Sequence, residues 1–540
     1  MRATSALRHL VLALAALALV GCPNRVTPVE VKVVKDTCGK SPDPMQDVTH
    51  MRVRVVKDDG TLVSETVAER ALNQGSLEAL PNGESLRIQV TGFNGAPDAG
   101  GVIISHGSSV PFRIPPDIEE GNPPVKVNVF LRQVERFSPV VSVNDPANVC
   151  TELSVQRAGH TATLLDDGRV LIAGGFEAKN NNPLDWLYKE TVEIYNPADG
   201  TISTDSPPMQ FNGRPTSRAF HSATRLPSGQ VLLAGGEISY SANGSRSMVT
   251  LAQAVLFDGS VDGGRGGWAS AAMNIKRSRH TAALSVVSGK PSRALLIGGV
   301  DWSATTPNVV DGTEWFEPEV NLFKKADAKL SFKRAGHAAL TTLSGQVVAV
   351  AGGHNGTKLY DSDAVRFFQA DTEGFTLAAA QLELRPPRTG AAVAPLGEDR
   401  FIVLGGFESM DLSNPVKPYA GSDVIKVRGG LSRTSGPQME LPRGHVCAVG
   451  LADGRVLAIG GRGRPGANDT QEALALTNVI SESNGELAMV RGDSLAEPRY
   501  FHTCTLMADG TVLVAGGVNE KGGTFQSLRS LEIYQPRPID

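Results

Sequence analysis

The sequence contains few aromatic residues and almost no long apolar runs. Only 5% of its 540 residues are aromatic, whereas 58 are glycine and 33 are proline. This composition argues against long packed helices and favours many strands joined by turns. Beyond residue 20, no segment approaches the ~18 uninterrupted apolar residues of a membrane-spanning helix. The formal net charge of −4 is close to balance, so neither nucleic acid nor an anionic membrane surface is predicted as a partner.

Motifs for metal and phosphate binding are also absent. The five cysteines include no Cys-x-x-Cys pair and no cluster with histidines at the spacing of a zinc site. The glycine-rich stretches 262–268 and 460–466 lack the strand–loop–helix setting of a phosphate-binding loop, so we interpret them as loops. No carboxylate pair stands out as the acid and base of a glycosidase. The sequence therefore predicts no cofactor and no metal.

The N-terminus has the pattern of an export signal. Two arginines precede an apolar run over residues 10–20, which is too short to span a bilayer. The residues before Cys22 resemble the lipobox of bacterial lipoproteins. This resemblance implies a signal peptide over residues 1–21, lipidation of Cys22, and a mature protein attached through that lipid to a membrane of the cell envelope. By analogy with the known sorting rule, Pro23 favours the outer membrane, and the sequence does not decide whether the protein faces its periplasmic or its outer side. The alternative to a lipoprotein signal is an ordinary signal peptide.

A pair of glycines recurs along the rest of the chain about every 53–63 residues. The seven copies are Gly174-Gly175, Gly235-Gly236, Gly298-Gly299, Gly352-Gly353, Gly405-Gly406, Gly460-Gly461 and Gly516-Gly517. Each pair ends a short apolar strand, and most of these strands follow a tight turn such as Asp167-Gly168. An arginine ahead of a strand that usually contains histidine opens each copy. With a third and a fourth strand, each copy makes one four-stranded blade, and seven copies predict a seven-bladed β-propeller.

These copies resemble the kelch repeat, whose hallmarks are the double glycine after the second strand, an aromatic residue in the third strand and often a tryptophan in the fourth. The resemblance covers residues 157–536 and implies that each first strand lines a central channel. Only Trp268 retains the fourth-strand tryptophan, and Ala391 replaces the histidine of the fifth copy. Because the last copy ends after three strands, we expect residues within 137–156 to supply its fourth strand and close the ring.

Residues 22–136 follow a different pattern. Several segments alternate apolar and polar residues and are separated by turn-rich stretches, as in an all-β sandwich. They resemble the immunoglobulin-like or prealbumin-like domains that often precede bacterial surface domains. We therefore predict a small β-sandwich over residues 22–136, which holds a propeller over residues 137–540 away from the lipid.

The remaining four cysteines form two pairs in the sequence. Cys38 and Cys150 flank the first domain, and the sequence leaves open whether they close it through a disulfide or stay free thiols. Cys447 and Cys504 each lie two residues after a histidine, where other copies carry alanine or valine. For these two we predict small apolar packing rather than a disulfide between adjacent blades.

Two sets of polar residues recur with the repeat. Six histidines are assigned equivalent positions on the first strands: His160, His221, His280, His337, His445 and His502. We predict that each imidazole bonds backbone or a neighbouring blade, because one residue per blade spreads around the channel rather than converging on a metal. The arginines are expected at one mouth of the channel: Arg157, Arg218, Arg277, Arg334, Arg388, Arg443 and Arg499.

These arginines are candidates for a ligand-binding rim, because guanidinium groups hold carboxylates and phosphates well. The structural alternative, which we favour, pairs them with acidic residues just after the glycines and so links blade to blade. Those acidic residues are Glu177, Glu237, Asp301 and Glu408.

Galactose oxidase also carries a kelch-type propeller after a β domain, and holds copper with two tyrosines and two histidines, one tyrosine being cross-linked to a cysteine. No Tyr-His dipeptide of that family occurs here, so its copper site is not matched. We therefore predict a lipid-anchored kelch-propeller scaffold, not an enzyme, that binds a protein or glycan through the variable loops after the glycine pairs. A galactose oxidase-like or other carbohydrate-active enzyme is the alternative.

Overall fold

A computed structural model describes residues 10–12, 29–35, 37–69, 80–115, 124–143, 149–242, 245–287, 289, 292–303, 307–326, 333–342, 344–371, 373–410, 416–466 and 470–539. These residues contain no α-helix and three short 3₁₀ turns, at Pro97–Ala99, Pro183–Asp185 and Asp262–Gly264. The predicted all-β architecture is confirmed. The predicted signal peptide and Cys22 lie outside the described residues, apart from a strand at Leu10–Leu12. Within the described ranges, no helix has the length and apolar character needed to cross a bilayer.

Seven four-stranded antiparallel sheets occur in the described residues from 136 onward, and we call them blades 1 to 7. Their first strands contact one another in a closed cycle, from blade 1 through blade 7 and back to blade 1. From first strand to fourth, the bounds are Thr161–Leu164, Val170–Ala173, Val192–Asn196 and Thr201–Ser203 in blade 1; Ser222–Arg225, Val231–Ala234, Gln253–Asp258 and Gly267–Ala272 in blade 2; Thr281–Ser285, Arg293–Ile297, Thr313–Glu317 and Leu322–Lys325 in blade 3; Ala338–Thr341, Val347–Ala351, Val365–Ala370 and Phe375–Leu382 in blade 4; Ala392–Pro395, Arg400–Leu404, Ser422–Lys426 and Ser432–Ser435 in blade 5; Cys447–Gly450, Val456–Ile459, Thr477–Ser483 and Glu486–Arg491 in blade 6; Thr503–Leu506, Val512–Ala515, Leu531–Gln535 and Arg136–Pro139 in blade 7.

Blade 7 takes its fourth strand from the chain before blade 1. Arg136–Pro139 pairs antiparallel with Leu531–Gln535, so that Phe137 lies opposite Tyr534. Closure of the ring by residues upstream of Arg157 is confirmed, and the strand begins one residue before the predicted range. Pairing the two ends of the ring leaves no open edge at the point where it closes.

The second strands form the most buried layer of the propeller. In Val170–Ala173 all four side chains are at most 1% exposed. Both faces of each blade pack against neighbouring blades, which is why these strands are continuous apolar runs rather than alternating ones. One such interface joins Leu171 and Ile194 of blade 1 to Leu233 and Phe257 of blade 2.

The two faces of the ring differ. After the glycine pairs, the chain rises from the blades into short hairpins that stand on one face, which we call the hairpin face. Their paired strands are Phe176–Glu177 with Leu187–Tyr188, Glu237–Ala242 with Ser245–Thr250, Val300–Asp301 with Asn308–Val309, Arg462–Gly463 with Glu472–Ala473, and Val518–Lys521 with Thr524–Ser527. The opposite face, which we call the turn face, carries the tight turns between first and second strands.

The N-terminal domain consists of two sheets around one core. One sheet contains Leu10–Leu12, Val29–Val34 and Val125–Phe130; the other contains Leu62–Glu69, His50–Lys57, Ser85–Phe93, Ile103–Ser108 and Arg132–Gln133, with Phe112–Arg113 paired to Ser85–Phe93. Side chains from both sheets, including Val31, Val129, Leu86 and Ile88, share the core. Its relationship to immunoglobulin-like or prealbumin-like domains stays a prediction.

This domain packs on the turn face. Arg87 donates to the carbonyl of Ala508 in the first turn of blade 7, at 2.7 Å, and Asn128 donates to the carbonyl of Ala198 in blade 1, at 2.9 Å. The carboxylate of Glu135 accepts two bonds from Arg455 of blade 6, at 2.8 and 2.9 Å. The hairpin face is therefore directed away from the N-terminal domain.

Candidate functional site at the mouth of the hairpin face

The seven repeat arginines do not form a rim. Each of their side chains is 0% exposed, so the possible ligand-binding rim is excluded and the favoured interpretation, in which the arginines bond within the protein, agrees with their burial. Arg157 illustrates the four that also bond a carboxylate of the third strand: one terminal nitrogen donates to the carbonyl of Gly174 at 2.8 Å, and the other donates to Glu193 at 2.6 Å. A buried guanidinium is tolerated only when such partners replace its hydration.

The acidic partners also differ from those predicted. They lie on the third strand of the same blade and not after the glycines: Glu193, Glu314, Asp423 and Glu532. The residues after the glycines bind elsewhere, as Glu177 does to Lys189 and Glu237 does to Arg279. Sequence spacing missed the third-strand partners because a variable loop separates them from the arginines.

The glycine pair joins consecutive blades. The N–H of Gly175 in blade 1 donates to the carbonyl of Arg218 in blade 2 at 2.8 Å, and the second glycine of every pair makes the same bond to the next arginine around the ring. Gly174 and Gly175 both have positive φ, at 64° and 96°. A Cβ on Gly174 would lie 2.9 Å from the ring of His221, so the next blade could not approach this closely.

Histidines bond a hydroxyl of the preceding blade, as predicted in outline. His221 Nε2 lies 3.0 Å from Thr161 Oγ1, and His280 Nε2 lies 2.9 Å from Ser222 Oγ. The bonds of His160 to Thr503 and of His337 to Thr281 are equivalent, at 3.1 and 2.8 Å. Where blade 5 carries Ala391 instead of histidine, the facing residue is Ala338, which has no hydroxyl to satisfy.

His445 does not belong to this set, and its assignment to an equivalent position is wrong. It lies two residues after its arginine, whereas the other histidines lie three residues after theirs, so Val446 takes the histidine position of blade 6. His445 instead occupies the position just before it, with φ of 51°. The shorter Arg443–His445 spacing is the signal in the sequence that could have distinguished it.

The residues at this preceding position surround the mouth. They are Gly159, Phe220, Arg279, Gly336, Gly390, His445 and Phe501, and all seven have φ between 51° and 66°. Some of these residues donate a backbone N–H hydrogen bond to the carbonyl of the equivalent residue in the preceding blade. Examples are Phe220 to Gly159 at 2.8 Å and His445 to Gly390 at 2.9 Å. Glycine adopts this conformation freely, whereas a larger residue there is strained by ~1 kcal/mol or more. Phenylalanine, arginine and histidine nevertheless stand at four of the seven places.

Aromatic side chains concentrate on one side of this mouth. Phe220 and Phe501 meet edge to face, with centroids 5.1 Å apart. Phe176 lies 5.4 Å from Phe220 and stacks on Trp186 at 3.9 Å. On the other side of Phe501, the ring of His445 lies 4.6 Å away. A chain poor in aromatic residues thus collects five aromatic rings, the imidazole included, in one cluster, and Phe220, His445 and Phe501 of this cluster line the opening.

The charges near the mouth are paired within the protein. Arg279 lies over the Phe220 ring, 4.3 Å from its centroid, and forms a two-point ion pair with the buried Glu237, at 2.8 and 3.2 Å. Arg462 forms a similar pair with Glu520, at 2.7 and 2.9 Å. Burial, together with the positive charges of Arg462 and Arg279, lowers the pKa of His445 to about 3, so its imidazole is neutral at physiological pH.

An open cavity of about 300 Å³ lies at the mouth. Phe220, Arg279, His445 and Phe501 line it on the aromatic side. On the opposite side Gly336, Gly390 and Ala391 line the cavity together with His337, and these three small residues leave the space open there. The cavity combines apolar ring surfaces with polar groups and carries no unpaired charge among the residues just described. An uncharged ligand with both apolar and hydroxyl-bearing surface suits this arrangement.

The part of the chain that the structure describes contains two disulfides. Cys38 bonds to Cys150, which links the N-terminal domain to the segment that leads into blade 1. Cys447 bonds to Cys504, with their Cα atoms 6.0 Å apart, so the prediction of simple apolar packing is wrong for this pair. The shift of one residue in blade 6 brings Cys447 opposite Cys504 on the adjoining first strands, within the range that a disulfide requires.

Comparison with solved structures identifies the fold. The chain is similar to a fungal alcohol oxidase of the AA5 family solved in complex with copper, at 16% identity over 72% of this chain and 75% of that one, with a TM-score of 0.52. It also aligns with the structure of YjhT, at 11% identity over 70% of this chain and 95% of that one, with a TM-score of 0.40. No protein-family model and no curated protein matches the chain. The likeness to the alcohol oxidase shows a shared propeller fold and nothing of the activity.

The residues at the mouth do not fit a copper site of the galactose oxidase kind. His445 supplies one imidazole there, and the hydroxyl of Tyr500 donates to Glu520 at 2.9 Å. Both cysteines beside the mouth are joined to each other. Among the described residues, no group of three or more His, Cys, Asp or Glu side chains is arranged to hold a metal ion. We therefore derive no chemistry through copper.

Proposed function

We propose that the protein is a recognition protein of the cell envelope that binds an uncharged saccharide at the mouth of the hairpin face. The observation that carries this proposal is the ring of left-handed positions around the mouth. At four of them strained Phe, Arg and His residues stand where glycine would be unstrained. Aromatic rings beside satisfied polar groups suit a ligand that has apolar C–H faces and hydroxyl groups.

Attachment through Cys22 belongs to the same proposal. The N-terminal domain packs on the turn face, through Arg87, Asn128 and Glu135. A lipid on the N-terminal side of this domain would direct the hairpin face away from the membrane. The mouth would then be open to a ligand in the surrounding space.

Binding of neutral and anionic oligosaccharides to the purified protein tests the proposal, with affinity measured by calorimetry. We expect a neutral saccharide to bind and Phe501→Ala to weaken it by about tenfold, the effect of one well-placed aromatic ring. Tyr240 is the matched control, because its side chain is 56% exposed on the outer hairpin of blade 2. Tyr240→Ala should leave the affinity unchanged.

Two other outcomes would contradict the proposal that a saccharide binds at the mouth. A ligand whose affinity depends on Tyr240 and not on Phe501 would indicate a protein partner on the hairpins. Stoichiometric copper in the purified protein, with oxidation of an alcohol, would restore the enzyme alternative.

A further inference from the structure

The junction between blades 6 and 7 departs from the pattern of the other histidine junctions. His502 takes the usual position and is 8% exposed, and the backbone of Ile459 is within hydrogen-bonding reach of its ring, but its Nε2 forms no hydrogen bond of normal geometry. In the other four histidine junctions, a serine or threonine hydroxyl lies 2.8–3.1 Å from Nε2. The residue at the hydroxyl position in blade 6 is Cys447, whose sulfur is bonded to Cys504.

A small molecule that enters the mouth can reach this disulfide. Cys447 and His502 both line the cavity of about 300 Å³, beside His445 and Phe501. Cys504 lies in the strand Thr503–Leu506, two residues after His502, which immediately precedes that strand, so in an extended chain the two side chains point to the same side. Two sulfur atoms and one buried imidazole therefore meet at a single junction with access to solvent.

We propose that Cys447–Cys504 is an exchangeable disulfide that reacts with small thiols entering through the mouth, and that His502 accepts a hydrogen bond from Cys447 in the reduced state. The thiolate of a small thiol attacks Cys447 Sγ, the bond between the two sulfurs breaks, and Cys504 leaves and takes up the proton of that thiol. A second thiol attacks the mixed disulfide, so that Cys447 leaves as a thiol and a small disulfide is released. Two thiols supply the two electrons, and their protons end on the two cysteines.

Reduction of the disulfide provides a hydrogen-bond donor for His502 Nε2, which has none while the disulfide is intact. The Cys447 thiol would stand where a hydroxyl stands in the other junctions, and its S–H can donate to His502 Nε2. Burial lowers the pKa of His502 to about 3, so the ring is neutral and has a nitrogen able to accept. Because an unbonded buried nitrogen is unfavourable, this bond favours the dithiol over the disulfide.

The other disulfide provides the internal comparison. Cys38–Cys150 lies at the domain contact, where Cys38 packs against the apolar cluster of Val34, Phe130 and Val141. We expect it to resist small thiols under conditions that open Cys447–Cys504. Independent behaviour of the two is expected because they lie in different parts of the molecule.

The experiment equilibrates the full-length native protein with reduced and oxidised glutathione, alkylates the free thiols and identifies them by mass spectrometry. We expect Cys447 and Cys504 to be alkylated at a glutathione concentration at least tenfold lower than Cys38 and Cys150 require. His502→Phe should shift the Cys447–Cys504 equilibrium about tenfold toward the disulfide, the effect of one hydrogen bond. His280→Phe, at the same position in the junction of blades 2 and 3, should not shift it.

A further variant separates redox chemistry from folding. Cys447→Ser places a hydroxyl opposite His502, as in the other junctions, so it should fold, and Cys504 should then be a free thiol that glutathione modifies. Reduction of both disulfides at the same glutathione concentration would overturn the proposal. An equilibrium unchanged in a folded His502→Phe protein would overturn it as well.

Discussion

The two faces of the propeller are built from the same repeat but differ in what they do. On the turn face, tight turns and an attached domain leave few irregular features near the axis. On the hairpin face, each blade adds a segment of its own length, and the position before the histidine changes from glycine to Phe, Arg or His. The comparison indicates that residues shared by all blades maintain the ring, while residues that break the repeat create the mouth.

The largest expected effect concerns the shared histidines. Burial and neighbouring positive charge lower the pKa of His160, His221 and His280 well below 6.5, and burial lowers the pKa of His337 and His502 to about 3. Because the folded pKa lies below the unfolded value, stability is complete above about pH 6.5 and falls as the pH falls below it. Between pH 7 and pH 5 we expect a loss of about 2 kcal/mol for each such histidine.

Denaturant unfolding at pH 7, 6 and 5 measures this loss. The contact between the N-terminal domain and the turn face should keep its stabilising contribution between pH 7 and pH 5. Burial opposes ionisation of Glu135, but bonds from Arg455, Arg537 and Tyr534 outweigh it and lower its pKa from 4.5. Its contribution should persist until the pH falls below about 4.5. A free energy of unfolding that is constant from pH 7 to pH 5 would contradict the neutral histidine ring.

The buried arginine pairs should give the next largest effect. Glu193→Leu leaves the fully buried Arg157 without its carboxylate, and we expect a loss of about 3–5 kcal/mol. The double substitution Arg157→Met with Glu193→Leu removes both charges, so it should recover most of that stability. If the double variant is no more stable than Glu193→Leu alone, an unpaired charge is not the cause of the loss.

The smallest effect is expected on the turn face. Glu135→Gln keeps the shape of the side chain but removes the ion pair with Arg455, in which both partners are partly exposed. We expect a loss of about 1–2 kcal/mol, together with faster proteolysis between the two domains. Glu65→Gln is the control, because its pair with Arg54 lies within the N-terminal domain. Equal proteolysis of the two variants would contradict a role for Glu135 in the domain contact.

The glycine pairs alone allowed much of the fold to be predicted. Their spacing required equal structural units, and a last unit with three strands required a fourth from the start of the ring, which Arg136–Pro139 supplies. The roles of the arginines were harder to predict, because a solvated rim and a buried pair use the same residue type. Only the burial of the seven side chains distinguishes the two.

The residues that line the mouth were not predicted, although they stand inside a conspicuous motif. His445 was grouped with histidines that it does not resemble, because one missing residue between arginine and histidine changes which side chain turns toward the preceding blade. The same shift brought Cys447 opposite Cys504. Errors of one residue matter most on strands, where adjacent side chains point in opposite directions.

By itself, the sequence determined the local features of this protein: apolar second strands, turns with glycine, and diglycine units that repeat closely enough to pack alike. These depend on neighbours along the chain. The tertiary structure alone decided which polar groups are buried and which residues from different blades meet, such as Phe220 with Phe501 and Cys447 with Cys504. Contacts between blades depend on how the ring closes, and no single repeat contains that information.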